Sequence, residues 1–223
     1  VYNCKKFILF HSDVVDDVIS LASNAQYSDD LDESTAFTFG YQLDQDGWLE
    51  TGSDADPFVL AFSTKALLRK LDRDPDTFLF HMDATFKLTK HGFPVFVCGV
   101  SDATRSFHVV ALFIVSQRTE TQYLAALTAI SDQFLAVVGH RFQMKYFMAD
   151  AEDAQYNAFR RVVVSTMEAS YLICFFHVIK NVRDRLKGVT DFSMHLAFRH
   201  FYQMHYARNP DEFAMLKEAA MIA

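Results

Sequence analysis

At 223 residues, 51% apolar and 15% aromatic, the chain carries enough apolar side chains for a full core of one or two domains, which excludes a disordered tail. No run approaches the roughly 20 consecutive apolar residues of a membrane helix, and the longest, such as 107–115, have the length of strands. The net charge of −7 argues against a uniformly basic protein, yet residues 1–75 carry 6 basic and 14 acidic side chains, 76–154 carry 6 and 8, and 155–208 carry 8 and 3.

That last segment is basic within an acidic protein and suits either plain solvated surface or a nucleic-acid face. Three widely spaced cysteines, Cys4, Cys98 and Cys174, form no disulfide framework and point to a reducing compartment, cytosol or nucleus. Val1 follows no Met and no basic-then-apolar leader, so we expect a piece of a longer protein and no secretion.

In chain order, Val14, Val15, Val18, Ile19 and Leu21 are spaced as one face of a short helix. Residues 26–35, QYSDDLDEST, read as an acidic connector. FTFGYQL, WLETG and FVLAFS, separated by the DQDG and DADP turns, predict short antiparallel strands. TKALLRKL predicts a helix over 64–71 capped by Ser63 or Thr64, and DRDPD breaks the chain after it.

From residue 78 the pattern changes. FLFHMDATF, PVFVCGVSD and SFHVVALFIVS predict three strands of an antiparallel meander. Thr119 then starts a helix with Gln122 in the capping-box position, a stripe of Tyr123, Leu124, Leu127, Ile130 and Phe134, and Gly139 as its stop. MKYFMAD is a fourth strand ending on Asp150, followed by a helix through Ala154, Ala158 and Phe159. SYLICFF is a fifth strand and HVIKNVRDRL a helix ended by Gly188. A further helix spans 191–207, and Asn209, Pro210 and Glu212 open the last with cap, first-turn proline and capping-box glutamate.

The order βββαβαβα predicts an α/β (α+β) class: a ribonuclease H-like mixed sheet flanked by helices, with a small N-terminal α+β extension. We expect the extension over 1–75, the core over 76–190 and the start of a helical region over 191–223. In that fold the first and fourth strands are neighbours, which brings Asp83 and Asp150 together although 67 residues separate them. Two adjacent carboxylates at the ends of buried strands call for a hard divalent cation, Mg²⁺ or Mn²⁺. The chemistry that such a pair supports is two-metal phosphoryl transfer. Each aspartate also has a plainer role open to it, Asp83 as a strand-end turn residue and Asp150 as the cap of the next helix, while Glu152 and Asp153 either suit that helix's dipole or, for one of them, touch metal through water.

The segments MDATFKLTKHGFPVFVCGVSDA, FMADAEDAQYNAF and LICFFHVIKN, in this order and spacing, resemble the transposase domain of Mutator-like elements over about residues 58–187, more loosely to 218. The resemblance implies a DDE-type DNA transposase acting in the nucleus: water attacks the phosphate at the transposon end, and the freed 3′ hydroxyl attacks target DNA. It makes Asp83 the first catalytic aspartate, Asp150 the second, and Cys174 with His177 the CxxH motif. DNA, as transposon ends and target, is the implied partner, and chemistry on two ends implies a homo-oligomer.

The implied third carboxylate is a glutamate on a late helix, either Glu212, Glu218 or one beyond this chain. The CxxH pair is either structural or a zinc half-site, although no second pair stands nearby and His195, His200 and His205, spaced by five, do not stack on one helix face. Lys180, Arg183, Arg185 and Lys187 are solvated surface or contacts to the DNA backbone. Phe192, Phe198, Phe201, Tyr202 and Tyr206 are core or the base of an inserted helical domain. The alternative to an active transposase is a domesticated, inactive module that binds DNA or protein; a ribonuclease or repair nuclease on the same fold is a third reading.

Overall fold

The computed structural model describes residues 22–41, 53, 57–89, 92–163 and 169–222. The helix expected over residues 14–21 and the WLETG strand lie outside these, apart from residue 53 nearby. Seven strands form one sheet: β1 Phe37–Phe39, β2 Val59–Ser63, β3 Phe78–Thr85, β4 Val95–Asp102, β5 Phe107–Val115, β6 Tyr146–Ala149 and β7 Ser170–Ile173. Their spatial order is β1-β2-β5-β4-β3-β6-β7. The helices are α1 Lys65–Leu68, α2 Glu120–Val138, α3 Asp153–Val163, α4 Phe175–Arg185, α5 Asp191–His205 and α6 Pro210–Ile222.

Short turns make the β3–β4–β5 meander antiparallel, and the long crossover through α2 brings β6 back parallel to β3. This is the mixed α/β sheet expected of a ribonuclease H-like core. The earlier strands join the same sheet, since β2 pairs antiparallel with β5 from Val59↔Val115 to Phe62↔Leu112, and β1 pairs with β2.

Alternation decides which side of the sheet is core. Phe78, Phe80 and Met82 of β3, Phe96, Cys98 and Val100 of β4, and Phe147 and Ala149 of β6 are buried in one cluster. Helix α2 adds Tyr123, Ala126, Leu127, Ile130, Phe134 and Val137 to it, a stripe at the predicted spacing, although Leu124 lies at its margin. Helix α3 contributes Ala158 and Phe159. Where β4 bulges between Cys98 and Gly99, a Cβ on Gly99 would lie 2.4 Å from the Phe107 ring and 2.7 Å from the His108 carbonyl oxygen, so the bulge requires glycine.

Three local expectations are corrected. The Thr119 hydroxyl does not cap α2 through a backbone N–H but bonds the Gln122 side chain. Helix α1 is only four residues and continues as a 3₁₀ turn over Arg69–Leu71, with Thr64 as its cap at 3.1 Å from the Leu67 nitrogen. The strand expected over 170–176 stops at Ile173, because the Cys174 carbonyl accepts from the nitrogens of His177 and Val178 and so begins α4.

The chain divides into two compact units, Val1–Leu172 and Ile173–Ala223. In the second, α5 is capped by Thr190 and α6 by Asn209, whose side chain accepts from the Glu212 nitrogen at 2.8 Å.

Candidate active site

The parallel pair β3–β6 runs in the register Phe80↔Phe147, His81↔Met148, Met82↔Ala149. Continued by one step, this register sets Asp83 opposite Asp150. Burial of Phe80, Met82, Phe147 and Ala149 fixes the phase of both strands, so the two aspartates share the other face with His81 and Met148. Their carboxylate oxygens come within 4.8 Å of each other, Asp83 exposed and Asp150 half-buried.

The main chain at both positions is clamped by side chains. Gln155, buried in the first turn of α3, donates through Nε2 to the Met82 carbonyl at 2.9 Å, one peptide before Asp83. The Tyr171 hydroxyl of β7 donates to the Asp150 carbonyl at 2.6 Å. Burial first, then the charges of Asp150 and Glu152, push the Tyr171 pKa well up, so that hydroxyl stays a donor. Asp150 Oδ1 accepts from the Ala151 nitrogen at 3.0 Å, which turns the chain out of β6.

Beside the pair stands a second carboxylate system. Glu152 Oε2 accepts from the Tyr123 hydroxyl at 2.8 Å and lies 3.6 Å from the Arg118 guanidinium. Tyr123 is 1% exposed and stacks on Phe96 with ring centres 4.4 Å apart; its pKa is raised chiefly by burial and next by the bond to Glu152. Arg118 in turn lies over the Phe86 ring, 4.9 Å from its centre. On the aspartate face of β3, His81 Nε2 meets Ser101 Oγ at 2.6 Å, and burial lowers the His81 pKa.

The β3–β6 pair thus ends in two facing aspartates and is followed by a helix whose first turn reaches back to β3. The MULE transposase domain family model matches residues 79–181, which contain β3 through the first half of α4. Over this stretch the chain is similar to a MULE transposase domain. A comparison with curated proteins gave no match.

The matched stretch holds Asp83, Asp150, Cys174, His177 and Lys180, whereas Arg183, Arg185, Lys187 and Glu212 follow it. Cys174 is a half-buried free thiol at the N-cap of α4, and His177 stands in the first turn of that helix, three residues on. Lys180, Arg183 and Arg185 are exposed on α4, with Arg183 over the Phe198 ring at 5.9 Å. Lys187 lies beyond the helix end and pairs with Asp184 at 2.8 Å. Glu212 completes the expected capping box, its Oε2 accepting from the Arg208 nitrogen at 2.7 Å.

Tyr123, Arg118 and Gln155 are not among the site residues that the sequence suggests, whereas Glu152 is, as a residue open to touching metal through water. One signal points to Tyr123: a tyrosine inside an apolar helical stripe must find a partner for its hydroxyl when buried.

Proposed function

We propose that this MULE-like domain is a DDE-type catalytic domain that cleaves DNA strands at transposon ends and transfers them to target DNA, with Asp83 and Asp150 as the catalytic carboxylates. The observation that supports this best is the β3–β6 register, which sets the two aspartates opposite each other on one face. The carboxylate oxygens of Asp83 and Asp150 are hard donors, which fits Mg²⁺ or Mn²⁺. Such ions, when bound, supply the positive charge that lowers the cost of activating an attacking oxygen and releasing a leaving one. The chain's own part is to hold two carboxylates at fixed spacing, through Gln155 on the Met82 carbonyl and Tyr171 on the Asp150 carbonyl.

Glu212 is the third carboxylate on chain order, and the basic side chains Lys180, Arg183, Arg185 and Lys187 contact the DNA backbone. The protein works in the nucleus, and as a homo-oligomer, since two ends must be joined.

Asp83→Asn and Asp150→Asn in the intact protein are each expected to abolish metal-dependent cleavage of duplex DNA, and each to remove saturable Mn²⁺ binding in a calorimetric titration. Cleavage that survives either change would sink this reading and leave an inactive DNA-binding or protein-binding module. Glu212→Gln is expected to abolish cleavage as well; full activity would reduce Glu212 to its capping bond.

A further inference from the structure

Arg118 lies in the short connection between β5 and α2, far in sequence from both aspartates, yet it touches the two segments that follow them. Its guanidinium lies over Phe86, the third residue after Asp83, and 3.6 Å from Glu152, the second residue after Asp150.

Neutralising Glu152 does not account for this placement. Glu152 Oε2 already takes the Tyr123 hydroxyl at 2.8 Å, and a guanidinium built to close an ion pair meets its carboxylate in a fork at about 2.7–2.9 Å. Here a single nitrogen stands at 3.6 Å, and the Arg118 side chain keeps 36% of its surface exposed. The guanidinium lies over the Phe86 ring, 4.9 Å from its centre, and has five N–H donors, more than Glu152 takes. A planar, partly exposed guanidinium against the two segments that follow Asp83 and Asp150 has the fork that receives a phosphate through two parallel hydrogen bonds.

We propose that Arg118 binds a backbone phosphate of the DNA strand presented to Asp83 and Asp150, and that Glu152 and Phe86 are positioning residues that hold it there. This rests on the reading of the two aspartates as the reaction site. It gives that site a cation of its own within the sheet unit.

The test is binding of a short DNA duplex by the whole chain across a salt series, with Mn²⁺ titrated separately. Arg118→Gln keeps a stem over Phe86 and loses the charge; it is expected to weaken binding about tenfold and to flatten the slope of log K against log salt by about one, with Mn²⁺ affinity unchanged. Should that variant melt early, Arg118→Lys decides: the slope stays, because the charge stays, and affinity drops severalfold because the fork is lost. Wild-type affinity in Arg118→Lys, or wild-type affinity and slope in a folded Arg118→Gln, overturns the assignment. The Mn²⁺ arm separates two failures. Unchanged DNA binding beside Mn²⁺ binding that Asp83→Asn abolishes removes Arg118 alone, whereas Mn²⁺ binding indifferent to Asp83→Asn removes the site on which it rests.

Discussion

In the sheet unit Phe37, Phe80, Phe96, Phe113, Phe134 and Phe147 are fully buried; in α4, α5 and α6 no described side chain is, and Phe176, Phe192 and Tyr206 expose 69%, 78% and 72% of their surface. Both regions are rich in aromatics. The strands place theirs on one side by alternation and α2 adds its stripe, so each ring meets others, as Phe147 meets Phe80, Phe159 and Tyr171. In the helices that follow, the rings make local pairs, such as Phe175 stacked on His205 at 3.7 Å, without a core beneath them. Aromatic content therefore says little about stability until periodicity and topology say where the rings converge. Helices of 11 to 15 residues are marginal by themselves in water, so the sheet unit carries the stability and the later helices carry surface.

The largest test of this contrast pairs Phe147→Ala with Phe192→Ala. The first is expected to cost about 3–5 kcal/mol in chemical denaturation and the second less than about 0.5 kcal/mol. Equal losses would erase the distinction. A smaller effect is expected from Gln155→Met, about 1–3 kcal/mol, because the Met82 carbonyl loses a buried donor while the side-chain volume is nearly kept. The same variant should weaken Mn²⁺ binding if the clamp on β3 sets the position of Asp83.

Smallest is Tyr123→Phe, about 0.5–1.5 kcal/mol at neutral pH. Its signature is the pH dependence. In the folded protein the Tyr123 pKa is raised above its ordinary 10.0, so its contribution is whole below pH 10 and falls as pH rises further, when the unfolded chain loses the proton first. Wild-type protein should therefore lose stability more steeply above pH 10 than the phenylalanine variant, measured as melting temperature against pH. Tyr171 shifts the same way, and Tyr27 is pushed up to about 12, so alkaline loss is a property of the sheet unit.

Much of the site was legible because it follows from phase. FLFHMDATF and MKYFMAD each alternate, and two strands that alternate and pair in parallel carry their terminal aspartates to the same face. Phe175 and Phe176 look like strand in the sequence because a short apolar run has no period of its own; the hydrogen bonds to the Cys174 carbonyl make them helix. That FTF and VLAFS form antiparallel strands was visible locally, but their seat against β5 was not, since pairing across about fifty residues leaves no local mark. Arg118 escaped for the same reason: its partners Phe86 and Glu152 are brought to it only by the finished sheet.

The register Met82↔Ala149 has a consequence for how this chain can change length. Between the two aspartates lie β4, β5 and the long helix α2 with their connections, and residues gained or lost in a connection such as the irregular stretch 139–145 leave the pairing of β3 with β6 intact. A single residue inserted between Phe147 and Asp150 is another matter, because it reverses the side on which the carboxylate emerges. The connections between Asp83 and Asp150 are free to change length, and relatives should vary there; the parity of β6 is not.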